Sequence, residues 1–129
     1  MSNLKPGAVL YAKDIELVRA FYQDVVGLEV VDAKKDHFVL ESSTFQLVIV
    51  QTPNAIASSI ELERPAKRRV ETPIKLVFPV GSIASVRAAA ILSGGQFNPP
   101  DREWKFRSSR VCDGQDPEGN VVQVRENAL

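Results

Sequence analysis

The chain has 129 residues, 16 basic against 16 acidic, with 44% apolar and 25% charged content; this fits one compact domain with a real core and excludes global attraction to nucleic acid or an anionic membrane. No apolar run approaches the roughly 20 residues that span a bilayer, and the opening MSNLKPGAVLYAKD lacks the basic and apolar regions of a secretory signal. A single cysteine, Cys112, excludes an intrachain disulfide and points to a reducing cytoplasm, and a single histidine, His37, excludes a histidine cluster.

In chain order, Ala8–Ala12 alternates as a short strand, and Lys13-Asp14 turns it. Asp14 is placed to cap the segment IELVRAFYQDVV, whose apolar Ile15, Val18, Phe21, Tyr22 and Val25 recur at helical spacing. Gly27 ends that helix. The runs LEVVDA, HFVLES and FQLVIVQ read as strands. IKLVFPV is a further strand, Ser82 a cap, and IASVRAAAIL a helix with Ile83, Val86, Ala90 and Ile91 on one face, closed by Gly94-Gly95. KFRSSRVC and NVVQVRE complete a second set of strands.

The two halves repeat one plan. A displacement of 68 residues carries Ile15 onto Ile83, Val18 onto Val86, Arg19 onto Arg87, Ala20 onto Ala88 and Gly27 onto Gly95. This predicts an α+β fold of two βαβββ modules, with module one at about 7–51 and module two at about 74–126. Between them lies TPNAIASSIELERPAKRRVETP, about 52–73, rich in proline and charge and read as a surface linker. Its Lys67-Arg68-Arg69 run is a basic patch or, more commonly for such a run, a solvated loop.

Strand alternation divides the faces. Ala8, Leu10, Ala12, Phe45, Leu47, Ile49, Leu76, Phe78, Val80, Val122 and Val124 are expected against the helices. Gly7, Val9, Tyr11, Gln46, Val48, Lys75, Val77, Gln123 and Arg125 are expected on the opposite side. Tyr11 either donates to a ligand or packs its ring. Trp104, in the loop DREWKFR, either stacks on a planar ligand or covers the structure. His37 lies at the head of a strand and is expected to be a surface or a satisfied structural residue. Cys112 is expected to be buried and inert, and Asp116, Gly119 and Asn120 to build a turn. No phosphate-cradling glycine loop, nucleophile motif or paired-cysteine motif is present.

The elements D-I-E-x-x-R-x-F-Y-x-x-V-x-G-L-E, from Asp14, and D-P-E-G-N-x-V-x-V, from Asp116, resemble the vicinal oxygen chelate superfamily, which includes glyoxalase I, extradiol dioxygenases and the fosfomycin- and bleomycin-resistance proteins. The resemblance runs from Gly7 to Glu126 and implies one domain, a cupped mixed sheet with the helices on its outer face. It also implies a homodimer. In metal-dependent members each module supplies two ligands, usually His, Glu or Gln, and the matching positions here are Gly7, Gln46 (or, shifted by two, Val48), Lys75 and Gln123. Glycine has no donor, an ammonium has no lone pair, and two amides are weak ligands, so no metal and no other cofactor is expected. The functional expectation is a cytoplasmic, metal-free small-molecule binding protein, its ligand anionic or neutral aromatic, contacted by Tyr11, Gln46, Lys75, Trp104, Gln123 and Arg125. A basic drug such as bleomycin would be repelled by Lys75 and Arg125. The alternatives are an enzyme of the superfamily (a lyase, isomerase or dioxygenase type) using Lys75 without metal, and a structural partner with no ligand.

Overall fold

A computed structural model describes residues 4–53 and 67–128, which fall in two compact units, 1–61 and 62–129. Most of the expected linker therefore lies outside the described residues. In the first unit β1 (Gly7–Ala12) leads into α1 (Ile15–Asp24), followed by β2 (Glu29–Ala33), β3 (His37–Glu41) and β4 (Gln46–Gln51). In the second, β5 (Leu76–Pro79) leads into α2 (Ile83–Leu92), followed by β6 (Gln96–Phe97), β7 (Trp104–Phe106), β8 (Ser109–Gln115) and β9 (Val121–Asn127).

The strand order is β1-β4-β3-β2 in the first sheet and β5-β9-β8-β6 in the second, with β7 also paired to β8. In both, the opening strand runs parallel to the closing one and the remaining pairs are antiparallel. The modules thus share one topology, each building its own mixed sheet. The fold is α+β, as expected. In module two the outer strand is split, because β6 and β7 both pair with β8 and the segment between them holds a single 3-10 turn at Pro100–Arg102.

Both helices start where a short polar side chain can accept from an orphan backbone N–H. Asp14 accepts from Leu17 N at 3.1 Å and Ser82 from Ser85 N at 3.1 Å. The first turn of α2 contains no acidic residue of its own. Glu126 on β9 supplies one from a distance, accepting from Ile83 N at 2.9 Å, where a carboxylate also complements the helix dipole. The chain leaves α1 through Gly27 at φ +90 and α2 through Gly94 at φ +82, a backbone conformation that glycine adopts without a Cβ penalty.

Each helix covers one face of its own sheet. Ile15, Val18, Phe21 and Tyr22 of α1 are buried with Phe38, Leu40, Leu47 and Ile49, and the rings of Phe21 and Tyr22 meet edge to face at 5.0 Å. Ile83, Val86 and Ala90 of α2 are buried with Phe78, Phe97, Val122 and Val124. Ile91, expected on that face, is 68% exposed. Ile91 stands about 100° around the helix from Ala90, off the stripe formed by Ile83, Val86 and Ala90.

Two strand expectations need correction. KFRSSRVC is a hairpin rather than one strand: Phe106 pairs with Ser109 across a two-residue turn at Arg107-Ser108. Arg107 has φ +55, the sign that the first position of a type II′ turn demands. Trp104 accordingly stands on β7, not in a loop. Lys75 lies one residue before β5 rather than inside it, and Ile74 beside it is 74% exposed.

The turn from β8 to β9 behaves as expected of DPEGN. Buried Asp116 accepts from Glu118 N at 2.8 Å and Asn120 N at 3.1 Å, closing the loop on itself. Gly119 has φ +83, and a Cβ there would lie 2.2 Å from the Lys67 carbonyl oxygen. The Arg69 N–H donates to Gly119 O at 2.9 Å. Within the basic run, Lys67 and Arg69 are exposed, while half-buried Arg68 is held by bonds to Gln115 Oε1 (2.8 Å) and Asn98 Oδ1 (3.0 Å).

Replacing Gly119 by Ala should lower stability by roughly 2 kcal/mol or more, since strain and the carbonyl clash both act. Arg107→Gly should instead stabilise, by about 0.5–1 kcal/mol, by relieving the left-handed backbone. Chemical denaturation with unchanged m-values checks both.

Candidate ligand-binding site

The open face of the second sheet gathers four of the six expected residues. The register pairs Val77 and Asp113 with Gln123, Val111 with Arg125, and Trp104 with Val111, so these side chains project to one side. Val122, Val124 and Cys112 alternate to the helix side and are fully buried. Lys75 reaches over from the mouth of β5.

Asp113 organises this face. Lys75 Nζ donates to Asp113 Oδ2 at 2.7 Å, and Gln123 Nε2 donates to Asp113 Oδ1 at 3.1 Å. The carbonyl oxygen of Gln123 accepts from Arg125 Nε at 2.8 Å. Gln123 is buried at 6% exposure, so its amide orientation is fixed by two charged neighbours rather than by solvent. The Arg125 guanidinium lies 4.8 Å from the centre of the Phe106 ring, and Lys75 Nζ lies 6.0 Å from that of Trp104. Trp104, Phe106 and Val77 remain substantially exposed.

Tyr11 and Gln46 belong to the open face of the first sheet and do not meet each other. Gln46 pairs with Gly7, four residues along the strand from Tyr11, or roughly 13 Å. Tyr11 is exposed. Gln46 Nε2 donates to Glu41 Oε2 at 2.8 Å, while Lys5 Nζ donates to Glu41 Oε1 at 2.8 Å and to Ser42 O at 2.9 Å. The Lys5 ammonium, helped by the Gln46 amide, holds the Glu41 carboxyl below its usual range. With its folded value depressed, this tie is complete at neutral pH and is lost as pH falls through that value.

Each module thus carries a lysine–carboxylate–glutamine triad, but the two are not equivalent. Val9 pairs with Val48 and Val77 with Gln123, and the 68-residue repeat maps Val9 onto Val77. The counterpart of Gln123 is therefore Val48, and Gln46 stands one pleat away. Of the two positions that the resemblance left open, the register selects the apolar one.

Position by position, the family's ligand places do not suit a metal. A Cβ on Gly7 would lie 2.0 Å from the Gln46 carbonyl oxygen, so no donor side chain fits there. Val48 has no donor atom, the Lys75 ammonium has no lone pair and donates a hydrogen bond to Asp113, and the Gln123 oxygen already accepts from Arg125. Among the described residues, no three His, Cys, Asp or Glu side chains cluster as a metal would need.

The helix side of module two holds a separate polar group. Arg87 of α2 pairs with Glu103, donates to Asn98 O at 2.8 Å and approaches Cys112 Sγ at 3.7 Å. Burial pushes the Cys112 thiol up, against the pull of Arg87. His37 is half-buried and hydrogen-bonded to Asp36 through Nδ1 at 2.8 Å.

Asp113, Phe106, Glu41 and Lys5 were missed in the sequence. Asp113 had a usable signal: a hairpin folded symmetrically about Glu118 sets it opposite Gln123. No comparable count reaches Lys5, which lies outside β1.

No family model and no curated protein matches the sequence. Solved structures do match. A glyoxalase/bleomycin resistance protein from Albidiferax ferrireducens is 22% identical, with 95% of this chain and 97% of that chain covered and a TM-score of 0.66. A glyoxalase/bleomycin resistance protein/dioxygenase family enzyme from Burkholderia phytofirmans is 17% identical over 94% and 96%, with a TM-score of 0.69. The chain has the vicinal oxygen chelate fold. The fosfomycin resistance protein FosX from Listeria monocytogenes shares that fold at 16% identity, over 100% and 94%, with a TM-score of 0.66. Among the described residues, no helix of this vicinal oxygen chelate fold is long and apolar enough to cross a membrane.

Two outcomes follow from this geometry. Gly7→His, which would restore a typical ligand type of the fold, should destabilise by several kcal/mol and raise no affinity for zinc or nickel, as thermal unfolding with and without the ions would show. Cys112 should resist a thiol reagent near neutral pH in the native state and react fully in denaturant.

Proposed function

We propose that this protein is a metal-independent small-molecule binding protein, and that the open face of its second module receives the ligand. The observation that carries the reading is the cluster of Lys75, Gln123 and Arg125 beside exposed Trp104, Phe106 and Val77. Apolar surface with a few convergent polar groups is what an organic ligand requires, the polar groups setting orientation and the rings supplying contact area. Two fold-mates are named for resistance to small drugs, which supports the same class of activity. The ligand is anionic or neutral and aromatic. Tyr11 and Gln46 remain proposed contacts from the first module, and the protein is proposed to act as a cytoplasmic homodimer.

An enzyme using Lys75 as its acid–base group is less well supported. The side chain is 44% exposed and ion-paired, whereas a lysine base requires burial away from opposite charge.

Thermal unfolding against a panel of aromatic acids, neutral aromatics and aromatic amines should show stabilisation by members of the first two groups and none by the amines. At a concentration a hundredfold above Kd the gain is about 2.7 kcal/mol, or several degrees. Lys75→Ala and Gln123→Ala should reduce it, the latter with a stability loss of about 1–3 kcal/mol because Asp113 and Arg125 each lose a partner. No shift with any member would reject binding. Turnover abolished by Lys75→Met and untouched by chelators would favour the enzyme.

A further inference from the structure

We infer that module two recognises a flat monocarboxylate, with Arg125 as its carboxylate receptor and Asp113 as the residue that limits the site to one negative charge. This rests on the small-molecule reading above and narrows it to a ligand class.

The charge balance of the open face comes first. Lys75 and Arg125 are cationic and Asp113 is anionic, so one positive charge is left over. Geometry assigns it. Lys75 and Asp113 are in direct contact at 2.7 Å and neutralise each other. Arg125 touches no carboxylate among the described residues; its Nε is bound to the neutral carbonyl of Gln123. The uncompensated charge is therefore the guanidinium, not the ammonium, although Lys75 looks the stronger anion site in the sequence.

The donors of that guanidinium are arranged for a carboxylate. With Nε held by Gln123 and one face of the group lying against Phe106 at 4.8 Å, rotation about the side chain is restricted. Its two Nη groups have no hydrogen-bond partner among the described residues. They form a planar fork whose two parallel N–H bonds match the two oxygens of a carboxylate. The fork is aimed through a relay that starts at Asp113, fixes Gln123, and only then reaches Arg125. Beside it, Trp104 and Phe106 are 40% and 45% exposed, on the same strand and two residues apart. A ring attached to the bound carboxylate would lie on this apolar strip.

A doubly charged phosphate monoester is the natural competitor, and Asp113 discriminates against it. Its own charge cancels Lys75, so a dianion would meet one free cation and a nearby carboxylate. Removing the charge of Asp113 without removing its shape releases Lys75 as a second cation.

The test is isothermal titration of the whole protein with 2-naphthoate, 2-naphthamide and, at a pH where it is doubly charged, 2-naphthyl phosphate. The wild type should bind the carboxylate about tenfold tighter than either of the others. Arg125→Gln should bring the carboxylate down to the level of the amide, and Arg125→Lys, which keeps the charge and loses the fork, should restore only part of the difference. Asp113→Asn should raise phosphate affinity about fivefold to tenfold and reverse the preference, which a purely structural Asp113 would not do. Lys75→Gln, leaving no net charge, should weaken both anions. Equal binding of naphthamide and naphthoate, unaffected by Arg125→Gln, would overturn the carboxylate receptor and leave the small-molecule reading standing. A wild-type preference for the phosphate, or no gain in Asp113→Asn, would overturn the charge limit. If the wild type binds none of the three probes the inference fails, and the broader panel of aromatics decides the small-molecule reading by itself.

Discussion

The two hydrogen bonds accepted by Asp113 hold the open face of module two in one arrangement. One fixes Lys75 at the mouth of β5, and the other fixes the Gln123 amide, whose carbonyl then orients Arg125. Three strands are involved, yet the bonds are local, because the β8–β9 register sets Asp113 directly opposite Gln123. That register depends in turn on the DPEGN loop. Buried Asp116 and the left-handed Gly119 make a five-residue connection that admits one pairing, and a one-residue slip would turn Asp113 and Gln123 to the helix side. A backbone turn at one end of the sheet thus determines the chemistry in its middle.

The repeated architecture separates what the fold requires from what the surfaces are free to do. Both modules keep the capped helix, the glycine exit and the parallel pairing of first and last strands. On the helix side the repeat is close, with Val18 and Val86 buried at matching positions. On the open side it fails: Val48 stands where the second module has Gln123, and Gly7 where it has Lys75. Cores are constrained by packing density, whereas an open face answers only to what it contacts.

The fold was legible because its signals are local. Asp14, Ser82, Gly27 and Gly94 mark helix ends by backbone chemistry, and the alternation of Val122, Gln123, Val124 and Arg125 marks a strand with two unlike faces. The Arg107-Ser108 hairpin was hidden because neither residue is a usual turn former at positive φ. Ile91 misled because, one residue past buried Ala90, it sits about 100° around the helix from the buried stripe. Of the site, the side chains on β9 and the presence of Lys75 could be read. Asp113, 10 residues from Gln123, needed the hairpin register to be counted, and in the first module Lys5 is joined to Glu41 by a pairing 36 residues apart that no local pattern reveals. Whether a cation is neutralised or available is a property of such pairings, which composition does not carry.

The division of the outer strand in module two has an effect on behaviour in a crowded solution. An edge strand presents a row of unpaired backbone groups that can recruit another chain. Here that edge is cut into pieces of two and three residues, separated by Pro99-Pro100 and the 3-10 turn. The second piece bears Lys105 and is followed at once by Arg107. The same interruption that brings Glu103 back to Arg87 leaves no continuous rail on which a foreign strand could register, so the sheet that exposes Trp104 and Phe106 on its face is guarded against polymerising along its side.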